Sequence, residues 1–185
     1  MKHIHLTLVG ITLAAVSAGP ASAHVTLEEA KAQAGKPYKA TLRVSHGCEG
    51  TATHTLRVRV PAGFRGAKPM PKPGWTLQTQ REPLAQPYES HGRRITDDVV
   101  EVTWKAASRE AWLADAHYDE FVLRGQLPVQ PGPLWFKVQQ LCEKGQWDWF
   151  DTPADAKSTS RAGLKAPAAL LEVLPADEAP TAHRH

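Results

Sequence analysis

Cysteine is scarce: the 185-residue chain holds only two, Cys48 and Cys142. They stand far apart with no CxxC spacing, which argues against a cysteine-ligated metal site. Long apolar runs are equally scarce. Leu6 to Val16 is one such run, too short to span a bilayer comfortably, and no second follows. Charge of one sign is missing as a feature. The 22 lysines and arginines barely outnumber the 19 acids and are spread along the chain. No basic stripe forms, so nucleic acid is not an expected partner. No internal repeat is visible, which excludes solenoid and propeller architectures.

What is present begins with the chain's start. Met-Lys-His-Ile-His carries one lysine, the apolar run follows, and Ala21-Ser22-Ala23 after Pro20 supplies the small-residue pattern that signal peptidase cuts behind. Residues 1–23 therefore read as a cleavable signal peptide, and the expected location is the periplasm. A membrane anchor or a buried N-terminal helix is the competing reading. Residues 24–175 are long enough for one domain with a real core. The tail 176–185, small and charged behind Pro175, is expected to be disordered. In an oxidising compartment a Cys48–Cys142 disulfide is the default, worth about 4–5 kcal/mol for so long a loop. A metal held by the two thiols is the alternative.

Alternation at period two recurs along the chain and predicts half-buried strands. It appears at 38–44, 54–60, 75–80, 99–104, 118–124, 134–138 and 170–174. Turn signals separate these segments at 61–63, 72–74, 91–92, 131–132 and 144–145. Many short strands at this spacing predict an all-β antiparallel sandwich. One short helix is expected over 108–115 with Ser108 as its cap. Residues 154–166 read as a loop.

Cleavage after Ala23 would leave His24 with a free α-amine beside its own imidazole. The amine and Nδ1 can close one chelate ring, and both lose their protons at mild pH. Two nitrogens in a tetragonal arrangement favour Cu(II). A signal peptide that merely happens to end before a histidine is the bland alternative.

A resemblance begins at the same residue. His24-Val-Thr-Leu opens the segment, then come Gly35, Val-Ser-His46-Gly-Cys48 and Met70-Pro-Lys-Pro-Gly-Trp-Thr76. Tyr118-Asp-Glu-Phe121, Val138-Gln-Gln-Leu-Cys142 and Trp149-Phe-Asp-Thr-Pro153 follow. In this order they resemble the YcnI-like copper-binding domain of exported bacterial proteins, over His24 to Pro153. The resemblance implies an immunoglobulin- or cupredoxin-like sandwich. It also implies Cu(II) held by a mono-histidine brace at His24, with a tryptophan close to the metal. Trp149 matches that tryptophan through its spacing to Pro153; Trp147 is the competitor, on the same face of an extended strand. The family's carboxylate has no clean counterpart, because Tyr38 or a neighbour stands where it would align. Candidates for the third ligand are Glu28, Glu120 and His46. Glu28 would need a turn, since four extended residues span about 13 Å.

The remaining histidines, His54, His91 and His117, have no motif around them and read as surface residues, and His183 and His185 fall in the tail. Trp75, Trp104, Trp112 and Trp135 read as core or half-buried. The expected function is a non-catalytic periplasmic Cu(II) binder for copper handling or delivery. Its partners would be the copper ion and, by family implication, a periplasmic chaperone or membrane copper transporter. A histidine-brace oxidative enzyme and a metal-free immunoglobulin-like interaction module are the alternatives.

Overall fold

The computed structural model describes residues 24–176. The signal-peptide and tail assignments, with His183 and His185, lie outside the described residues. Among the described residues eleven strands build two facing sheets. The smaller contains β1 (Thr26–Leu27), β3 (Pro37–Val44), β5 (Arg65–Pro69) and β8 (Asp119–Gln126), in the order β1-β3-β8-β5. The larger runs β2 (Lys31–Gln33), β11 (Ala169–Leu174), β9 (Gly132–Cys142), β4 (Thr53–Arg59), β7 (Arg93–Ala106) and β6 (Trp75–Ser90), and β10 (Gln146–Trp149) also pairs with β9. Pairing is antiparallel except between β2 and β11. No helix among the described residues is long and apolar enough to cross a membrane.

The period-two segments become strands because their apolar phase faces the other sheet. In β9 the alternation is complete: Leu134, Phe136, Val138, Gln140 and Cys142 are buried and their neighbours are not. Leu42, Leu56, Val58, Val102, Trp104, Phe121 and Leu123 meet them between the sheets. Burying one such large side chain contributes about 1.5–3 kcal/mol, which is what holds the layers together. The indole N–H of Trp104, deep in this core, donates to the carbonyl of Met70 at 3.0 Å. A disulfide joins Cys48 to Cys142 across Cα atoms 5.7 Å apart.

Three expectations change. The helix over 108–115 is a single 3-10 turn, Arg109–Ala111, and Ser108 makes no side-chain capping bond. The Ser108 hydroxyl bonds the Glu110 carboxylate instead and helps hold it below the usual carboxylate range. Leu113 must return to extended backbone to exchange both hydrogen bonds with Thr53, at 2.8 and 2.9 Å, so no second turn fits. The segments at 75–80 and 99–104 are the inner parts of one long hairpin, β6–β7, whose outer half is polar and carries Pro83 and Pro87. Proline is tolerated there because β6 is an edge strand, and the register shifts where it falls. Finally, His54 is a half-buried structural residue. Its Nε2–H donates to the Cys142 carbonyl at 3.1 Å, Nδ1 accepts from Thr55 at 2.9 Å, and the ring lies against Trp112.

Candidate metal centre

The first described residues run along the edge of the small sheet. Val25 and Leu27 point into the core, Thr26 pairs with Arg43, and the Glu28 amide donates to Thr41. His24 is half-buried just ahead of this strand. Its imidazole meets the indole of Trp149 edge-on, with ring centroids 5.2 Å apart at 66°. Trp149 is 3% exposed, whereas Trp147 is 40% exposed. The two indoles share a face of β10, as i and i+2 must, and stack at 5.0 Å.

Beneath Trp149 lies a residue that the sequence reading passed over. Gln140, 1% exposed, accepts from the Trp149 indole N–H at 3.3 Å. Its amide donates to the His46 carbonyl at 2.7 Å and to Thr53 Oγ1 at 2.8 Å. A buried amide left without partners would cost about 1–3 kcal/mol, so this set fixes the orientation of the side chain. The signal was available: Gln140 falls on the inward phase of β9 between Val138 and Cys142, where a polar residue must find partners.

The loop carrying His46 is tied down from the other side as well. Its Nδ1 is 2.6 Å from the Gly47 carbonyl, an acceptor only, so Nδ1 donates there. The Gly47 amide donates to Asp115 at 2.8 Å. A Cβ on Gly47 would stand 1.7 Å from the Thr51 carbonyl, which is why this motif needs glycine.

The carboxylate candidates are arranged differently. Glu28 is exposed just after β1, and its amide is tied to the Thr41 carbonyl. Glu120 lies across the small sheet, opposite Arg43, and accepts from the Tyr118 hydroxyl. That hydrogen bond is the main reason the Tyr118 phenol is pushed up to about 12. Lys72 sits beside it, donating to Asp119 at 2.6 Å and to the Glu120 carbonyl at 3.2 Å. Among the described residues no three His, Cys, Asp or Glu side chains converge as a metal-binding group. The structure thus brings together His24, Trp149, Trp147 and, through Gln140, the His46 loop. It does not add Glu28 or Glu120 to them.

Two facing, mainly antiparallel sheets, a disulfide and a histidine held against a buried tryptophan define an immunoglobulin-like β-sandwich protein. The model of the family described as "Domain of unknown function (DUF1775)" matches residues 24–173, and the chain belongs to this family. The YcnI-like resemblance falls within it. A crystal structure of an uncharacterized protein from Nocardia farcinica, titled as revealing an immunoglobulin-like fold, is similar with a TM-score of 0.60 and 25% identity. The likeness covers 82% of this chain and 99% of that one. No curated protein matches.

Proposed function

We propose that this protein is a non-catalytic Cu(II) carrier of the periplasm, binding the ion as cargo through the amine and Nδ1 of His24 once export processing has cut after Ala23. The contact between the His24 imidazole and the Trp149 indole supports this reading most directly. It holds the imidazole half-buried beside an aromatic wall, at the end of the chain where the second nitrogen would be released. The family match also begins at residue 24, in line with a mature domain that starts there. One residue supplying two nitrogens needs no convergent cluster, so the ligand set is compatible with the side chains around it. Cu(II) would then take its further ligands from water or from a neighbouring side chain. Of the remaining candidates we favour His46, because Gln140 links its loop to Trp149. Delivery to a periplasmic chaperone or a membrane copper transporter completes the reading.

The test is a titration of the exported, processed protein with Cu(II), followed by tryptophan fluorescence. One equivalent should quench part of the emission, and Trp149→Phe should remove most of that quench. Quenching that survives in Trp149→Phe but disappears in Trp147→Phe would move the site outward to the exposed ring. Absence of near-stoichiometric binding would favour the metal-free interaction module, which the immunoglobulin-like neighbour makes the natural second reading. Oxidised products from polysaccharide with ascorbate and oxygen would contradict the non-catalytic assignment.

A further inference from the structure

At the opposite end of the small sheet, three cations stand side by side. Lys39 of β3 pairs with Arg124 of β8, and Arg124 pairs with Lys68 of β5, so all three project from one face in a single row. Directly opposed like charges destabilise a sheet, with Cβ atoms only about 5 Å apart. The six ion pairs among the described residues occupy Lys31, Arg57, Arg59, Lys72, Arg81 and Arg109 and leave this row out. A fourth cation, Arg65, lies over the Tyr88 ring at 4.8 Å, which fixes its stem at the same place.

Arg65, Lys68 and Arg124 line a cleft of about 680 Å³ between the small sheet and the tip of the β6–β7 hairpin. Lys39 and Arg124 line the adjoining depression. The far wall is Tyr88, Glu89, Ser90 and His91. Of the acids nearby, Asp98 is already committed. It accepts from the Gly66 amide at 2.7 Å, the Tyr88 hydroxyl at 2.8 Å and the Val99 amide at 2.8 Å. Among the described residues Glu89 is the one carboxylate lining the cleft, against three lining cations. The tip is built to hold this wall. Ser90 pairs with Arg93, and both residues between them have positive φ, 49° at His91 and 71° at Gly92. A two-residue turn of this kind matches the strand twist but ordinarily uses Asn-Gly; here a histidine accepts the strained backbone and stands at the cleft.

From this arrangement we infer that the cleft binds a small polyanion, a polycarboxylate or a polyphosphate. A ligand with two or more negative charges would satisfy the row that the fold leaves unpaired, and Arg124 at its centre offers a planar fork suited to either oxyanion. Concavity and volume favour a small molecule, since they fall in the range of ligand clefts. The site does not rest on the copper reading. His24 lies beyond Thr26, which pairs with Arg43, so roughly 20 Å of strand separates it from Lys39.

Calorimetry of the intact protein with inorganic triphosphate and with citrate, at low salt, tests the inference and separates the two sources. Saturable binding of either at one per chain, weakened at least tenfold by Arg124→Gln and unchanged by Lys105→Gln, is the expected result. Equal loss in both variants would reduce the effect to general attraction by a basic protein and overturn the site. Tighter binding of hexaglutamate than of either small anion would overturn it in favour of a protein-docking surface. Unliganded Arg124→Gln should melt no lower than the parent, because it removes a repulsive neighbour; a clear fall would show that Arg124 has a structural partner and would sink the inference.

Discussion

At the residue scale a few side chains are held where their surroundings leave them little freedom. Gln140 is one: it supports the Trp149 indole and the His46 loop at once. Gln140→Leu should lower stability by about 1–3 kcal/mol, since it strands the buried Thr53 hydroxyl and Trp149 indole and the half-buried His46 carbonyl, and should also shift the copper-dependent fluorescence. Denaturant melts and the Cu(II) titration check the two parts separately. Tyr38 is another. Burial first, and then the charges of Glu29 and Glu28, raise its phenol well above the ordinary tyrosine range, while its hydroxyl donates to the Glu29 carbonyl at 2.5 Å. The unfolded chain ionises this group near 10.0 and the folded chain keeps it protonated. Its contribution is therefore full below that pH and drains away as pH rises further. Tyr38→Phe should cost about 1 kcal/mol at about pH 8 and flatten the loss of stability toward about pH 11, as urea melts at the two values would show. Neither role could be read from periodicity, which marks a position as inward but does not name its partners. The pairing of His24 with Trp149 was legible only because the motif order resembles a copper-binding domain; nothing in the spacing of residues 24 and 149 predicts contact.

At the element scale, strands with clean alternation were legible and those with interrupted alternation were not. β5 contains Gly66 and Pro69 in five residues and shows no usable period. The outer half of β6 is exposed, charged and broken by Pro83 and Pro87, so it reads as loop although it pairs with β7 as far as Ser90. Hydrogen bonding to a neighbour makes it a strand, and burial, the quantity that alternation reports, hardly enters. The expected helix failed for the converse reason. Its local propensity was adequate, but tertiary pairing at Leu113 fixed the backbone as extended. Because Ser108 makes no side-chain capping bond, Ser108→Ala should change stability by less than about 0.5 kcal/mol, where loss of a true cap costs about 1. A loss of the larger size in thermal melts would mean that the helix forms in solution.

For the whole molecule, the disulfide between Cys48 and Cys142, 94 positions apart in sequence, joins the His46 loop to the end of β9. Its presence agrees with an exported protein of an oxidising compartment. Cys48→Ser with Cys142→Ser should lower stability by about 2–5 kcal/mol, and reduction of the parent should do the same. Since Gln140 and Asp115 still hold the loop, copper affinity should fall no further than the global loss of stability requires. The sandwich itself was legible from sequence, because two apolar faces at period two have few other ways to be buried. How the chain divides between the sheets was not, for sheet order depends on long-range pairing that no local pattern encodes.

If the terminal amine and the imidazole of His24 grip Cu(II) together, electron paramagnetic resonance will register both nitrogens. Two copper-loaded proteins should be compared: the chain beginning at His24, and the same chain with its α-amine acetylated. The first should give a type 2 spectrum with nitrogen hyperfine structure from one bound ion, and the second should lose it. Identical spectra from both would rule the grip out, because acetylation turns the amine into an amide and leaves every side chain unchanged.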